Sequence, residues 1–238
     1  MSSGLSSGAG VYPFAVTSSE IAASEALESR RVRFLVVEAV EAAAELIGSE
    51  TVAARWDEPS ALAGMTVGAL CAHLVRAAGS VLAYLDRTDP GASRPGALLT
   101  PVTYFHAAID SPIHDRIKEV STNEAAADST EVARHCADVA AAMQTRLAEE
   151  PTDRLVAALG GRMLSLDDFC RTRLIEVLLH LDDVAASVGV SRPDTSADGR
   201  SIVIDILIGI ARLKHGDWSV LHALARNERR EVDVFPVF

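Results

Sequence analysis

The stretch RLIEVLLHLDD, residues 173–183, sets Arg173, Glu176, His180 and Asp183 into an otherwise aliphatic run. Spacings of three and four bring them to one side of a helix, within an arc of roughly 80° that also takes in Ser187. Leu174, Ile175, Leu178, Leu181 and Ala185 occupy the other side. Glu176 and His180 stand at i and i+4, one above the other. A carboxylate oxygen and an imidazole nitrogen at that spacing can share a metal ion. The same arc also describes the wet side of an ordinary amphipathic helix, on which Arg173 and Glu176 would form an i,i+3 ion pair. Spacing leaves both readings open.

Glu131 and His135 repeat the pattern. They lie opposite Val132, Cys136, Val139 and Met143, on a helix whose outer face also carries Arg134 and Asp138, and a surface role is favoured there. His73 sits at the border between an apolar arc (Leu70, Leu74, Ala77, Val81) and a polar one (Arg76, Ser80). A histidine in that position is more often a hydrogen-bonded packing residue. A His/Glu/His site, however, requires a third ligand from a neighbouring helix. His106, His114, His215 and His222 have no companion at ligand spacing, except Asp110 before His114, and Pro112 interrupts that pair.

Periodicity predicts the elements that would position these groups. A first helix is expected over 28–47, and a second over 67–87 behind an N-cap at Thr66. The second ends in the proline- and glycine-rich stretch TDPGASRPGALLTP. A partly helical segment over 102–120 follows, interrupted at Pro112. A third long helix is expected over 129–149, ended by Pro151. Ser165 and Asp168 open a fourth, through Ser187, after a turn at LGGRMLSLDD. Helices over 200–213 and 218–226 and an extended tail, VDVFPVF, complete the chain. No other stretch reads as a strand. The fold class implied is all-α: a four-helix bundle with a long crossover connection and additional C-terminal helices. Residues 1–27 read as a loosely attached tail, 28–189 as the bundle and 190–238 as a C-terminal helical extension.

The 238 residues carry 22 basic and 33 acidic side chains, a net charge of −11. Nucleic acid and anionic membrane surfaces are therefore not expected partners. Hydrophobic residues make up 49% and aromatics only 5%, so the core should be aliphatic. Cys71, Cys136 and Cys170 form no CxxC pair and read as buried small hydrophobes in a reducing cytoplasm. The N-terminal MSSGLSSGAG has neither part of a signal peptide, and SIVIDILIGIARL, broken by Asp205, is too short to span a bilayer.

RWDEPSALAGMTVGALCAHLVRA resembles the signature W…PS…GWTV…L..HL of the mycothiol-dependent maleylpyruvate isomerase family, within the DinB-like group of metal-binding helical bundles. RLIEVLLHLDDVAASVG resembles that family's second signature, R..E..xH..D. The resemblance covers roughly residues 28–189. It implies that His73, Glu176 and His180 converge on a divalent metal, normally zinc, with a position left open for a thiol. The thiol it implies is mycothiol, the sugar-linked cysteine thiol of actinobacteria, deprotonated at the metal and directed at an electrophilic small molecule. In the isomerases the thiol adds to a conjugated double bond, permits rotation and leaves; related bundles transfer it permanently.

Around such a site Asp183 either orients the His180 imidazole or is one more solvated carboxylate beside Asp182. Arg76 and Arg173 could hold a substrate carboxylate or the thiol's sugar, though a surface role is the commoner one for either. Trp56 is expected to pack over the start of the second helix. Met65 stands where the family usually has tryptophan, and Gly68 where a charge is common. The last fifty residues do not read like the isomerase's C-terminal domain, so metal binding carries over better than isomerase activity. The expectation is a cytoplasmic, metal-dependent thiol transferase or isomerase. A metal- or ligand-binding bundle without turnover is the alternative, and a plain helical interaction protein the third. The electrophile, the identity of the metal, the catalytic residues and any homo-oligomer are left open.

Overall fold

Side-chain caps set most of the helix boundaries. In the computed structural model, which describes residues 17–92, 96–109, 128–158, 160–229 and 233–237, α1 runs Ser18–Ile47 behind a capping box. Thr17 accepts from the Glu20 amide, and the Glu20 carboxylate accepts from the Thr17 amide. The helix thus starts well before residue 28, and the part of the expected tail from Ser18 onward is helical; residues 1–16 lie outside the described residues. Little packs on these first turns, and Ile21 and Leu27 remain exposed.

A short α2 (Glu50–Ala54) is capped by Ser49. α3 (Val67–Arg87) is capped by Thr66 as expected, its hydroxyl accepting from the Ala69 amide at 3.1 Å. α4 spans Pro101–Ile109, and the rest of the partly helical segment expected to residue 120, Pro112 included, lies outside the described residues. α5 (Ser129–Glu149) starts at Asp128, which caps the Glu131 amide. α6 (Leu166–Val188) starts at Ser165 and ends at Gly189 in the left-handed conformation, φ 72°, which costs glycine nothing. α7 (Ala197–His215) and α8 (Asp217–Ala225) follow, then a 3-10 turn, Asn227–Arg229. The expected extended tail forms no strand over its described residues 233–237, where Val234 and Val237 turn inward and are buried.

α1 packs against α5 and α6, and α3 against the same two, so the long helices form a square with α1 and α3 on one diagonal. The chain crosses from α3 to α5 through the long connection that holds α4. This is the expected all-α four-helix bundle. Its core is largely aliphatic: Val36 and Val40, Leu70 and Leu74, Met143, and Leu174 and Leu181 are shut off from solvent together with the Phe169 ring, and Tyr104 and Phe105 are buried against them. Each such side chain contributes about 2 kcal/mol by leaving water. α4 and α7 pack on one another and on the outer side of α6, forming a third layer there.

A hairpin was not expected. β1 (Leu155–Ala158) pairs antiparallel with β2 (Arg162–Ser165), Val156 opposite Leu164, across a turn in which Gly160 and Gly161 have φ of 72° and 86°. It seals one end of the bundle. Just before it, the buried Arg154 donates to the carbonyls of Leu85, Thr88 and Asp89 at 3.1, 2.8 and 3.0 Å, satisfying the open C-terminus of α3. Arg33 does the same for α5, reaching Leu147 and Pro151 at 2.8 and 2.9 Å while its Nε donates to Asp167.

Candidate metal centre

His73 is carried by α3, whose N-terminus is anchored by Trp56. The amide of Gly68 donates to the Trp56 carbonyl at 2.8 Å, and a Cβ on Gly68 would lie 2.6 Å from the indole ring. Any side chain at 68 would displace the ring, which accounts for glycine there. Trp56 thus packs where expected, and Met65 is buried beside this junction.

Glu176 and His180 come from α6, the neighbour of α3. The exposed positions of α6 are Leu179, Asp182 and Ala186. That stripe is rotated roughly 100° from the arc holding Arg173, Glu176, His180 and Asp183. The polar arc is therefore not the wet side of α6; it is turned into the bundle. Side-chain exposure is 13% for His73, 22% for Glu176 and 16% for His180.

The two imidazoles meet edge to face, Nε2 to Nε2 at 3.1 Å. Glu176 Oε2 lies 3.4 Å from His180 Nε2 and 3.8 Å from His73 Nε2. Zinc at its usual 2.0–2.2 Å from nitrogen and oxygen sets tetrahedral donors about 3.3–3.5 Å apart, so the observed triangle has nearly the right edges. Two nitrogens and a carboxylate oxygen are also a donor set that a divalent first-row metal accepts. Among the described residues, this is the group of His, Cys, Asp or Glu side chains whose donor atoms could together hold a metal ion.

Each of the three has a partner behind it. His180 Nδ1 is 3.0 Å from Asp183 Oδ2, a contact through which Asp183 can orient the ring. Glu176 Oε1 faces Arg173 at 3.8 Å. Arg173 is 7% exposed, against a surface reading. Its guanidinium lies over the Phe169 and Tyr104 rings, 5.1 and 5.6 Å from the centroids, and donates to the Tyr104 hydroxyl at 3.3 Å. His73 Nδ1 is 2.9 Å from Arg76, which is half-buried. Ser187, the last residue of the arc, ties the mouth together, donating to the Asp183 carbonyl and accepting from the Ala61 amide at 2.8 Å.

These neighbours set the protonation. Burial opposes charge on Glu176, but the His180 hydrogen bond and the Arg173 charge outweigh it and hold the carboxyl at about 2. Burial also opposes a proton on His180, yet Asp183 and Glu176 outweigh it and raise the ring to about 9. His73 goes the other way, to about 4, pushed down by burial and then by His180. The site thus holds a carboxylate and two imidazoles that differ in their hold on a proton.

Tyr104 was missed from the sequence. It lies on α4, beyond the proline-rich break, with no spacing relation to either motif, and the third layer brings it in. Glu131 and His135 are both exposed on α5, as expected. His106 and His222 do not join the group, and His114 lies outside the described residues.

The family model described as the mycothiol maleylpyruvate isomerase N-terminal domain matches residues 36–185, a span that includes His73, Glu176 and His180. No curated protein and no solved structure matches the chain. The match takes in well over half of the 238 residues, from within α1 to the last turn of α6. The chain belongs to the mycothiol maleylpyruvate isomerase N-terminal domain family, a branch of the DinB-like superfamily.

Proposed function

We propose that this protein is a metal-dependent thiol transferase or isomerase, with His73, Glu176 and His180 as ligands and mycothiol as the thiol. The observation that supports it is the meeting of three donor atoms from two helices, each ligand backed by a polar partner, within the span that matches the family. Bound there, a divalent metal supplies an open position at which a thiol loses its proton. Zinc fits the donors, as do nickel, manganese and iron, among which availability decides.

The residues around that position have separable duties. Glu176 stays ionised and offers Oε2, while Arg173 holds Oε1. Asp183 accepts from His180 Nδ1–H and so directs Nε2 inward, where a bound metal would replace the proton that the free ring holds. Tyr104 and Phe169 flank the Arg173 guanidinium and keep it in place. Arg76 is the more exposed of the two cations and suits a carboxylate on the electrophile or the polar sugar of the thiol.

We place the protein in the cytoplasm, in keeping with three free, buried cysteines. α3 is long and apolar enough to cross a membrane by composition, but most of it is buried in the bundle as a core helix. With a net charge of −11, neither a membrane surface nor nucleic acid is a proposed partner.

A second reading follows from the matched family being the N-terminal domain of an isomerase: a bundle that holds metal without turnover. Metal content and thiol consumption, measured together on the parent chain and on His73→Ala, separate the two. About one divalent metal per chain and metal-dependent loss of mycothiol against a panel of electrophiles, both gone in the variant, is the expected result. Full metal with no thiol consumed supports the second reading, and no metal after incubation with zinc removes both.

A further inference from the structure

α7 lies past residue 185, outside the span that matches the family, yet it packs on both α4 and α6. Two of its glycines mark those contacts. A Cβ at Gly199 would meet Leu174 and Leu178 of α6 at 3.7 and 3.8 Å, which is ordinary contact, so this glycine is not required for space. A Cβ at Gly209 would lie 2.7 Å from Val102 Cγ2, inside the distance at which carbon atoms pack. Val102 is β-branched and stiff within a helix, so it has little freedom to swing aside. α4 is therefore seated directly on the α7 backbone. Val102 and Tyr104 stand two residues apart on α4 and take opposite sides of it, Val102 meeting α7 and Tyr104 meeting α6. Tyr104 is 7% exposed, and its hydroxyl accepts from Arg173 Nη2 at 3.3 Å. The same nitrogen lies 3.8 Å from Glu176 Oε1. The start of α4 is tethered too, by the Leu99 amide donating to the Met163 carbonyl of β2 at 2.8 Å.

We propose that α7 is a positioning element of the metal centre. Seated on Val102 at Gly209, it holds α4 against α6 so that Tyr104 fixes the guanidinium that faces Glu176 Oε1, which leaves Oε2 turned to the two histidines. An arginine side chain has many rotamers, and the Tyr104 hydroxyl and ring remove most of that freedom. The carboxylate beside it then keeps one orientation, and the orientation of a ligand by its outer partners is a large part of what sets metal affinity. A hydrogen bond already 3.3 Å long has little length to spare. One methyl group added at residue 209 is thus felt at Glu176 through Val102, Tyr104 and Arg173, with no residue of the centre altered. The C-terminal layer is part of what builds the site, although it supplies no ligand.

This inference rests on the metal reading above, and the test separates the two. Zinc affinity of the full chain is measured by competition with a chelating dye for the parent, Gly209→Ala, Gly199→Ala and Tyr104→Phe. Losing an outer partner weakens a metal site by roughly 10–100-fold, so Gly209→Ala and Tyr104→Phe should each weaken zinc binding by about tenfold. Gly199→Ala makes the same exchange on the same helix where there is room, and should keep the parental affinity. Two double variants trace the route. Val102→Ala, which removes the obstructing methyl, should restore affinity to Gly209→Ala. Tyr104→Phe should add little further loss to Gly209→Ala, since both act at one point. A purely structural role for α7 would lower the melting temperature of Gly209→Ala and leave its zinc affinity unchanged, which overturns the proposal. Losses that multiply in full in the double variant, or an equal loss in Gly199→Ala, overturn it as well. Tyr104→Phe deletes a single hydroxyl and keeps the test decisive if Gly209→Ala fails to fold: parental affinity there overturns the positioning role alone. No zinc bound by the parent overturns the metal reading and this inference together.

Discussion

Glu176 with His180 on α6 and Glu131 with His135 on α5 have the same residue types at the same spacing, and both helices pack between α1 and α3. Their surroundings differ completely. The first pair is turned inward and meets His73, with Asp183 and Arg173 in support. The second pair faces water, next to an ordinary Arg134–Asp138 ion pair at 3.0 Å that is about two-thirds exposed. Helical spacing places a carboxylate above an imidazole in both cases. It does not supply the third donor, and it does not remove the water.

The cause of the difference is how many sides of each helix are covered. α5 touches the bundle along one face and leaves the rest of its circumference to solvent, so its polar residues are its surface. α6 carries α1 and α3 on its inner side and α4 and α7 on its outer side. Its fully exposed positions are a narrow stripe, Leu179, Asp182 and Ala186. A helix enclosed in this way has no spare surface for four polar groups. Burying them is costly unless each is paired, and here each is.

The largest effect that should separate the two pairs is on metal affinity. His180→Ala removes a donor and leaves two, so zinc binding should fall by more than the roughly 10–100-fold typical of losing an outer partner, taking the equivalent of bound metal with it. Titration against a chelating dye reads this directly. Retention of parental affinity in His180→Ala would put the two pairs on the same footing and break the comparison.

Asp183→Ala comes next. Without the acceptor behind Nδ1, the His180 ring loses both its orientation and its tautomer preference. Affinity should drop by about 10–100-fold, with the melting temperature nearly unchanged because Asp183 is at the rim of the site. An affinity equal to the parent's would return Asp183 to the role of a solvated carboxylate.

The sequence carried some of this better than the rest. Thr66 and Ser165 mark helix starts because capping is local chemistry, readable three residues at a time. Thr17 and Glu20 carry the same kind of mark, and overlooking it put the start of α1 too late. The hairpin escaped because strands of four residues are too short for alternation to show, although Gly160–Gly161 between two apolar runs was the available signal. For the site, the spacing of Glu176 and His180 was legible, but their burial was not. A helical wheel assumes that polar means wet, and the third layer over α6 violates that assumption. The register that sets His73 level with His180 depends on packing between α3 and α6, and Tyr104 arrives from α4, so neither has a local sign.

The smallest effect is expected at the other pair. Glu131 and His135 are exposed, and neither contributes to the core formed on the far side of α5 by Val132, Cys136, Val139 and Met143. Glu131→Ala and His135→Ala should each change stability by no more than about 0.5 kcal/mol and leave zinc affinity at the parental value. The two measurements answer different questions. A stability change alone would show that α5 uses these side chains for helix energetics, since Glu131 lies in its first turn, where an acid favours the helix dipole. A loss of zinc would be more serious. It would mean that an uncovered Glu–His pair can hold metal without a third donor, and enclosure would no longer explain why chemistry is assigned to α6 and not to α5.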